Sequence, residues 1–360
     1  MSRSPVFWVY CLALLAGGLG LLFQLYPVLL LTWRDSLVGA PFVLATGLVF
    51  GALILYLDRL RAHRWIVRAL VMGFLWGALA GPGIAMWAND HNLAVIRNLG
   101  GDAFAINWQA AISAPIVEES IKGLGVFTVA WLWRSLLWRP IHGLLLGGCT
   151  GLGFQVVENA TYEANAGLSA AQPEAADAIL VGLLRLFTGL TSHWMLTALA
   201  GIGIVQAVAR ADWPMARRVR VFVTFYLLGV GFHFLWDSPQ PQDDFPLGIT
   251  LLRMVAALLI FGVIYTGIVR GERRWFRSTI STAVRKGIAP AEEPAMLITR
   301  HTRRIARKAT RERFGPAGPT RLDLRRRQRR LIDWVQGYGT YLHVSARVDT
   351  PAKAMRLLGT

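Results

Sequence analysis

Residues 108–133 read WQAAISAPIVEESIKGLGVFTVAWLW. The stretch is apolar enough to cross a bilayer everywhere except its centre, where Glu118, Glu119 and Lys122 fall. A hydrocarbon core of ~30 Å takes about 20 residues of helix, and an acidic group at the helix centre costs roughly 2.5–3.5 kcal/mol on insertion scales. Two adjacent glutamates at that depth predict a helix that faces a polar cavity inside a bundle, not lipid. This reading decides the fold class: an all-α, polytopic membrane helix bundle built around a buried acid–base site.

Working outward, apolar windows of spanning length recur at 6–26, 40–57, 66–87, 108–133, 141–162, 178–209, 219–236 and 247–269. Eight transmembrane helices are expected, the sixth long enough to tilt or break. The composition agrees: 54% hydrophobic residues, 16% charged and a mean hydropathy of +0.44 exclude an ordinary soluble domain. No small-residue cleavage site follows the first window, so it reads as a retained span, not a signal peptide. Cys11 and Cys149 both fall inside spans and read as buried small hydrophobes. Arginines cluster after the even-numbered spans, at Arg59, Arg61 and Arg64, at Arg134 and Arg139, and at Arg210, Arg217, Arg218 and Arg220. The positive-inside rule then puts those loops and both termini in the cytoplasm of a multi-pass cell-membrane protein.

The net charge of +17 is concentrated at one end. From Gly271 onward there are 21 Lys/Arg against 7 Asp/Glu, leaving 17 against 14 for the rest of the chain. Three regions are therefore expected: N-terminal helices 1–3 over 1–105, a catalytic bundle of helices 4–8 over 106–270, and a basic cytoplasmic tail over 271–360. A basic segment that follows a transmembrane helix meets the anionic inner leaflet more readily than nucleic acid, at ~1 kcal/mol per residue near the surface. Contact of the tail with anionic lipid is expected. The stretch from Phe314 through Gly315 to Pro319 should break the tail into two helical pieces.

Depth groups the remaining ionisable residues. At 1.5 Å per residue, Glu118 lies ~15 Å along its span from the outer face and His193 ~22 Å, whereas Glu158 and His233 lie ~25 Å and ~21 Å from the inner face. All four fall in the middle or outer half of the membrane. Glu118 and Lys122 share a helix face at i, i+4, with Glu119 three residues from the same lysine. Neighbours 100° apart on a helix cannot both aim at one substrate atom, so the two glutamates should have different roles. Phe154, Glu158 and Tyr162 form an i, i+4, i+8 stripe with Asn159 beside it, and His233 and Asp237 are again i, i+4, close enough for the carboxylate to orient the imidazole. Gly147, Gly148, Gly151 and Gly153 precede the Glu158 stripe and permit close helix approach. Each residue alone has a plain explanation. A single buried histidine can bond across helices, Glu158 can pair with Arg185, Arg253 can snorkel, and Tyr162 and Asp237 suit an interface. The whole set is too costly to keep without a function.

Four short motifs now stand in order on four successive spans: Glu118-Glu119-x-x-Lys122, Phe154-x-x-x-Glu158-Asn159-x-x-Tyr162, the isolated His193, and His233-x-x-x-Asp237. In this the chain resembles the PrsW family of intramembrane proteases, which is similar in turn to CAAX-processing and bacteriocin-processing endopeptidases. The resemblance covers about 108–237. It implies cleavage of a membrane-anchored protein, an anti-sigma factor in the founding member, on the extracytoplasmic side. Carried over by position, Glu118 and Glu119 match the paired glutamates, His193 the isolated histidine and His233 the last histidine. Asp237 stands where relatives have Asn or Asp, and Glu158 stands where the CAAX-type enzymes have His.

Amide hydrolysis needs an activated water, a stabilised oxyanion and a proton for the amine. The residues suggest Glu118 as general base, partnered by Glu119 or His193, with His233, held by Asp237, donating to the oxyanion. Lys122, Phe154, Glu158, Asn159 and Tyr162 support them. No serine or cysteine sits beside a base. The absence of His-Glu-x-x-His favours a glutamate mechanism without a cofactor, while His193, His233 and a glutamate remain a candidate zinc site. The main alternative is a transporter or proton pathway, which uses the same residue types but commonly shows internal repeats that this chain lacks.

Overall fold

The computed structural model describes residues 4–169, 175–240, 246–289, 294–315 and 318–347. Among them the regular structure is helical, with no strand. Among the described residues seven segments are long and apolar enough to cross a membrane: Pro5–Leu31, Ser36–Leu57, Val67–Gly100, Pro140–Asn165, Asp177–Ala209, Met215–Asp237 and Leu247–Arg285. An eighth helix, α5 (Asp102–Leu132), has the length, but Glu118, Glu119 and Lys122 in its middle lower its apolarity. The chain is an all-α, multi-pass membrane helix bundle.

The chain divides into two compact units. The first comprises residues 1–54 and 68–262. It contains α1 (Pro5–Leu31), most of α2 (Trp33–Leu57), α3 (Val67–Leu75), α4 (Gly81–Gly100), α5, α6 (Pro140–Ser169), α7 (Ala175–Thr188), α8 (His193–Ala209), α9 (Met215–Asp237) and the beginning of α10 (Pro246–Arg285). Helix α8 is buried along most of its length and packs on α5, α6 and α9. Its close approach to α6 depends on glycine. A Cβ at Gly147 would run into the Thr197 carbonyl, and one at Gly151 into the His193 carbonyl and, at 2.8 Å, the Trp194 Cα. This backbone-to-backbone contact is available only to the smallest residues.

Two expected spans differ in detail. The third continues beyond Trp87 to Gly100: after α3 it passes through a π-helical turn (Trp76–Ala80), and Pro82 then sits in the first turn of α4, where a missing N–H is tolerated. No breaker then appears until Gly101, whose φ of 79° ends the helix. The polar residues Asn89, Asp90 and His91 therefore lie on helix. The sixth span breaks, with α7 passing through a 3-10 turn (Gly189–Thr191) and an extended Ser192 (ψ −155°) before α8 begins at His193. The break frees backbone groups inside the bundle, and Gln155 of α6 satisfies them. Its Nε2 donates to the Gly189 carbonyl (3.2 Å) and its Oε1 accepts from the Trp194 N–H (3.3 Å). Irregular backbone at membrane depth is tolerated only with such partners. The cysteines are half-buried free thiols rather than fully buried ones.

The second unit comprises residues 55–67 and 263–360. Helices α11 (Arg300–Phe314) and α12 (Arg321–Ser345) lie on either side of the Gly/Pro stretch, each opened by a capping box, at Thr299 and Thr320. Leu60, Phe276, Ile280, Leu297, Ile332 and Val335 form its core. Arg61 holds Asp333 through two hydrogen bonds (2.7 and 3.0 Å), and Gln336 Nε2 donates to the Leu60 carbonyl (2.8 Å). The short segment 55–67 and the tail thus share one core.

Candidate active site

Helices α5, α6, α8 and α9 each deliver part of one buried cluster. Glu119 and Lys122 have no exposed surface, and Glu118, His193 and His233 almost none. Lys122 Nζ lies 2.7 Å from Glu119 Oε1, 3.6 Å from Glu118 Oε2 and 2.8 Å from His193 Nδ1, with its ammonium 4.2 Å above the Phe154 ring. The two glutamates on this one helix have different surroundings. Glu119 accepts from Lys122, from the Thr197 hydroxyl (3.0 Å) and from His233 Nδ1 (3.1 Å), so its carboxylate is fully occupied. Glu118 Oε1 accepts from Asn89 Nδ2 (3.3 Å), and Asn89 is fixed by Ser113 (2.8 Å). Glu118 Oε2 is buried and has no hydrogen-bond partner. It lies 3.9 Å from His193 Nδ1 and 3.9 Å from His233 Nε2.

Complementarity of donors and acceptors assigns the imidazole protons. An ammonium can only donate and a carboxylate can only accept. His193 Nδ1 therefore accepts from Lys122, and its Nε2–H donates to Glu158 Oε2 (2.8 Å). His233 Nδ1–H donates to Glu119, which leaves Nε2 facing Glu118 and Asp237 Oδ2 (3.4 Å). Each histidine is thus held by a carboxylate at its outer nitrogen and turns the other nitrogen towards Glu118 Oε2. The two rings meet edge to face, 5.1 Å apart.

The cluster is most open at one edge, where the Glu158, Arg185 and Asp237 side chains keep 20%, 20% and 22% of their surface. Glu158 pairs with both Arg185 and His193, so the pairing read from the sequence holds only part of its role. Arg185 also donates to Asn159 Oδ1 (2.8 Å) and covers the Tyr162 ring (4.3 Å), while Asn159 reaches Thr46 (3.1 Å). Arg253 does not simply snorkel. It donates to the carbonyls of Trp236, Ser238 and Pro239, and so closes the C-terminal end of α9 beside Asp237. The structure brings together every residue singled out from the sequence: Glu118, Glu119, Lys122, Phe154, Glu158, Asn159, Tyr162, His193, His233 and Asp237. Asn89, Ser113, Gln155 and Thr197 were missed. Only the helix-compatible run after Pro82 could have placed Asn89 on a span. An apolar groove of about 520 Å³ between α5, α8 and α9 reaches Ser120 and Tyr226, and none of the buried acid–base groups lines it.

Glu118, His193 and His233 present one oxygen and two nitrogens within 4.8 Å of one another. In chemistry this His₂Glu set fits a zinc-class cation, and a carboxylate behind each histidine is the usual support for a metal ligand. In spacing it is loose. Tetrahedral ligands at ~2.0–2.1 Å from zinc stand about 3.3 Å apart, so the two 3.9 Å separations would have to contract. Lys122 would also have to release His193 Nδ1.

The glycine contact permits a direct test of how the site is positioned. Gly151→Leu should push the first turn of α8 away from α6 and carry His193 with it. Activity in membranes should fall by about a hundredfold or more, the usual loss for an ångström of misplacement, and the melting temperature should drop. A Leu variant with wild-type activity would show that α6 does not set the position of His193.

Residues 66–267, more than half of the chain, match a protein family described as PrsW family intramembrane metalloprotease. No curated protein and no solved structure matches the chain.

Proposed function

The chain belongs to the PrsW family, and it carries that family's intramembrane protease domain; we propose that it is an endopeptidase that cuts a membrane-anchored protein, such as an anti-sigma factor, with Glu118 as the base that activates water. The observation that carries this reading is Glu118 Oε2, a buried carboxylate oxygen with no hydrogen-bond partner, 3.6 Å from the Lys122 ammonium and 3.9 Å from two histidine nitrogens. Two atoms 3.9 Å apart can both hydrogen-bond one water at ~2.8 Å. A water between Glu118 Oε2 and His233 Nε2 has its acceptor, Glu118, and its orienting group in place before substrate arrives, while His193 Nδ1 is already taken by Lys122. Attack forms a bond from the water oxygen to the peptide carbonyl carbon while Glu118 takes the proton. Glu118 then returns that proton to the amine as the C–N bond breaks. His233, with a carboxylate at each nitrogen (Glu119 and Asp237) and acting as the imidazolium, donates from Nε2 to the developing oxyanion. Lys122 fixes Glu119 and His193.

Positive-inside charges and span order direct the open edge at Glu158, Arg185 and Asp237 to the extracytoplasmic side, with both termini in the cytoplasm. A second reading has its own support in the carboxylate-backed His₂Glu set. A cation held by Glu118, His193 and His233 would supply Lewis-acid polarisation and lower the pKa of bound water.

Purified protein in proteoliposomes should cleave a tagged single-span substrate at its extracytoplasmic boundary and should not carry protons or solutes. Proton flux abolished by Glu118→Gln, with no cleavage of any single-span candidate, would favour the transport reading instead.

A further inference from the structure

The tail unit contains a cavity of about 340 Å³ lined by seven arginines and one acidic residue. We propose that this cavity is a binding site for a phosphate-bearing anion, held by Arg59, Arg300, Arg303, Arg307, Arg325 and Arg329. The central residue is Arg303, with only 9% of its surface exposed. Its guanidinium donates to two backbone carbonyls, of Leu297 (2.8 Å) and Arg59 (3.4 Å). Burial, with the charges of Arg300, Arg307, Arg273 and Arg59, pulls its pKa down to about 10. Among the described residues no carboxylate lies within 4.0 Å of Arg300, Arg303, Arg307, Arg325 or Arg329. The nearby acids are already paired: Asp58, the acid in the lining, accepts from the backbone and ring of His63 (2.7 and 2.8 Å), and Asp333 is held by Arg61.

Like charges gathered in this way repel one another, and burial makes the repulsion costly. A fold that holds them together gains most from an oxyanion. The cluster is also organised in advance. Arg300 and Arg59 lie over the Tyr56 ring (4.0 and 4.5 Å), Arg307 bonds Gln328 Oε1, and Gln328 Nε2 donates to the Arg303 carbonyl (3.0 Å). Guanidinium forks match phosphate oxygens in pairs. The Tyr56 ring is covered by arginines and not offered to a base, so the chemistry recognises the phosphate itself. Arg59 comes two residues after Leu57, where an apolar helix ends. A phospholipid headgroup and a free phosphate compound carry the same group.

The two sources can be separated with full-length protein in neutral detergent. Inorganic pyrophosphate and dioctanoyl phosphatidic acid are titrated in turn, with dioctanoyl phosphatidylcholine as control, and the melting temperature is read. Either phosphate probe should raise it saturably, and the tighter binder identifies the source. Arg325→Gln with Arg329→Gln, both at exposed positions, should weaken binding about tenfold or more. Arg303→Lys should weaken it by keeping the charge and losing the fork. Arg326→Gln with Arg330→Gln, outside the cavity, should leave it unchanged. Failure of both phosphate probes to saturate, or equal weakening by the two double variants, would overturn the proposal. Neither outcome bears on peptide cleavage.

Discussion

Glu118→Gln should abolish cleavage, by about a hundredfold to ten-thousandfold, the usual value of a positioned general base. An amide cannot take the proton from water. The substitution keeps the side-chain volume and an oxygen that can accept from Asn89 Nδ2, so membrane insertion and melting temperature should match wild type. Glu119→Gln should behave differently. Glu119 is wholly buried and accepts from Lys122, Thr197 and His233. Removing its charge leaves the Lys122 ammonium poorly compensated, at about 3–5 kcal/mol for a broken buried pair. That variant should lose thermal stability along with activity. Assaying both variants in the same proteoliposomes, with unfolding followed in detergent, separates a chemical loss from a structural one. Cleavage by Glu118→Gln at near the wild-type rate would remove Glu118 from the role of base.

His233→Ala should be the second severe variant, by about a hundredfold to a thousandfold, because it removes the donor aimed at the oxyanion. It also decides between the two readings of the site when combined with a chelator. If Glu118 acts on water without a cation, wild-type protein should keep its rate in strong chelator while His233→Ala stays inactive. If a cation is required, purified active protein should contain it in stoichiometric amount and lose it together with activity on chelation. Restoration by added zinc and reduced metal content in His193→Ala and His233→Ala should follow. This second pattern would change the mechanism and leave the protease assignment in place. The spacing of 3.9 Å on both sides of Glu118 Oε2 and the lysine already bonded to His193 Nδ1 favour the first.

The helical class, the membrane setting and the residues that gather in the buried cluster were legible in the chain because each follows from a local rule. A span is a matter of length and apolarity, and a charge in mid-span is costly wherever the rest of the chain goes. The i, i+4 relations of Glu118 with Lys122 and of His233 with Asp237 follow from helix geometry alone, and both pairs face each other, at 3.6 and 3.4 Å. The break in the sixth span was foreshadowed by its length. Its position, one residue before His193, was not, because it depends on Gln155 of another helix reaching Gly189 and Trp194.

The division of labour between Glu118 and Glu119 was decided by tertiary structure. On their own helix the two differ only by 100° of rotation. What separates them is that Thr197, His233 and Lys122 saturate one carboxylate, while Asn89 takes only a single oxygen of the other. The same holds for the orientation of His233. The sequence suggested Asp237, four residues away, as its partner, yet the better-placed carboxylate is Glu119, 114 residues distant, at 3.1 Å against 3.4 Å. The tail shows the limit most plainly. Its charge could be counted from the chain, but the pocket of arginines around Arg303 exists only because segment 55–67 packs into a core with residues more than 200 positions further on, as Gln336 does on Leu60. The amino-acid sequence by itself determined which groups are expensive to bury and at what depth they lie, since desolvation and helical rise act residue by residue. Which of those groups find partners, and which carboxylate oxygen is left without a hydrogen bond, was decided by helices meeting across the bundle, since a hydrogen bond needs two atoms within about 3 Å and chain separation does not reveal which atoms those are.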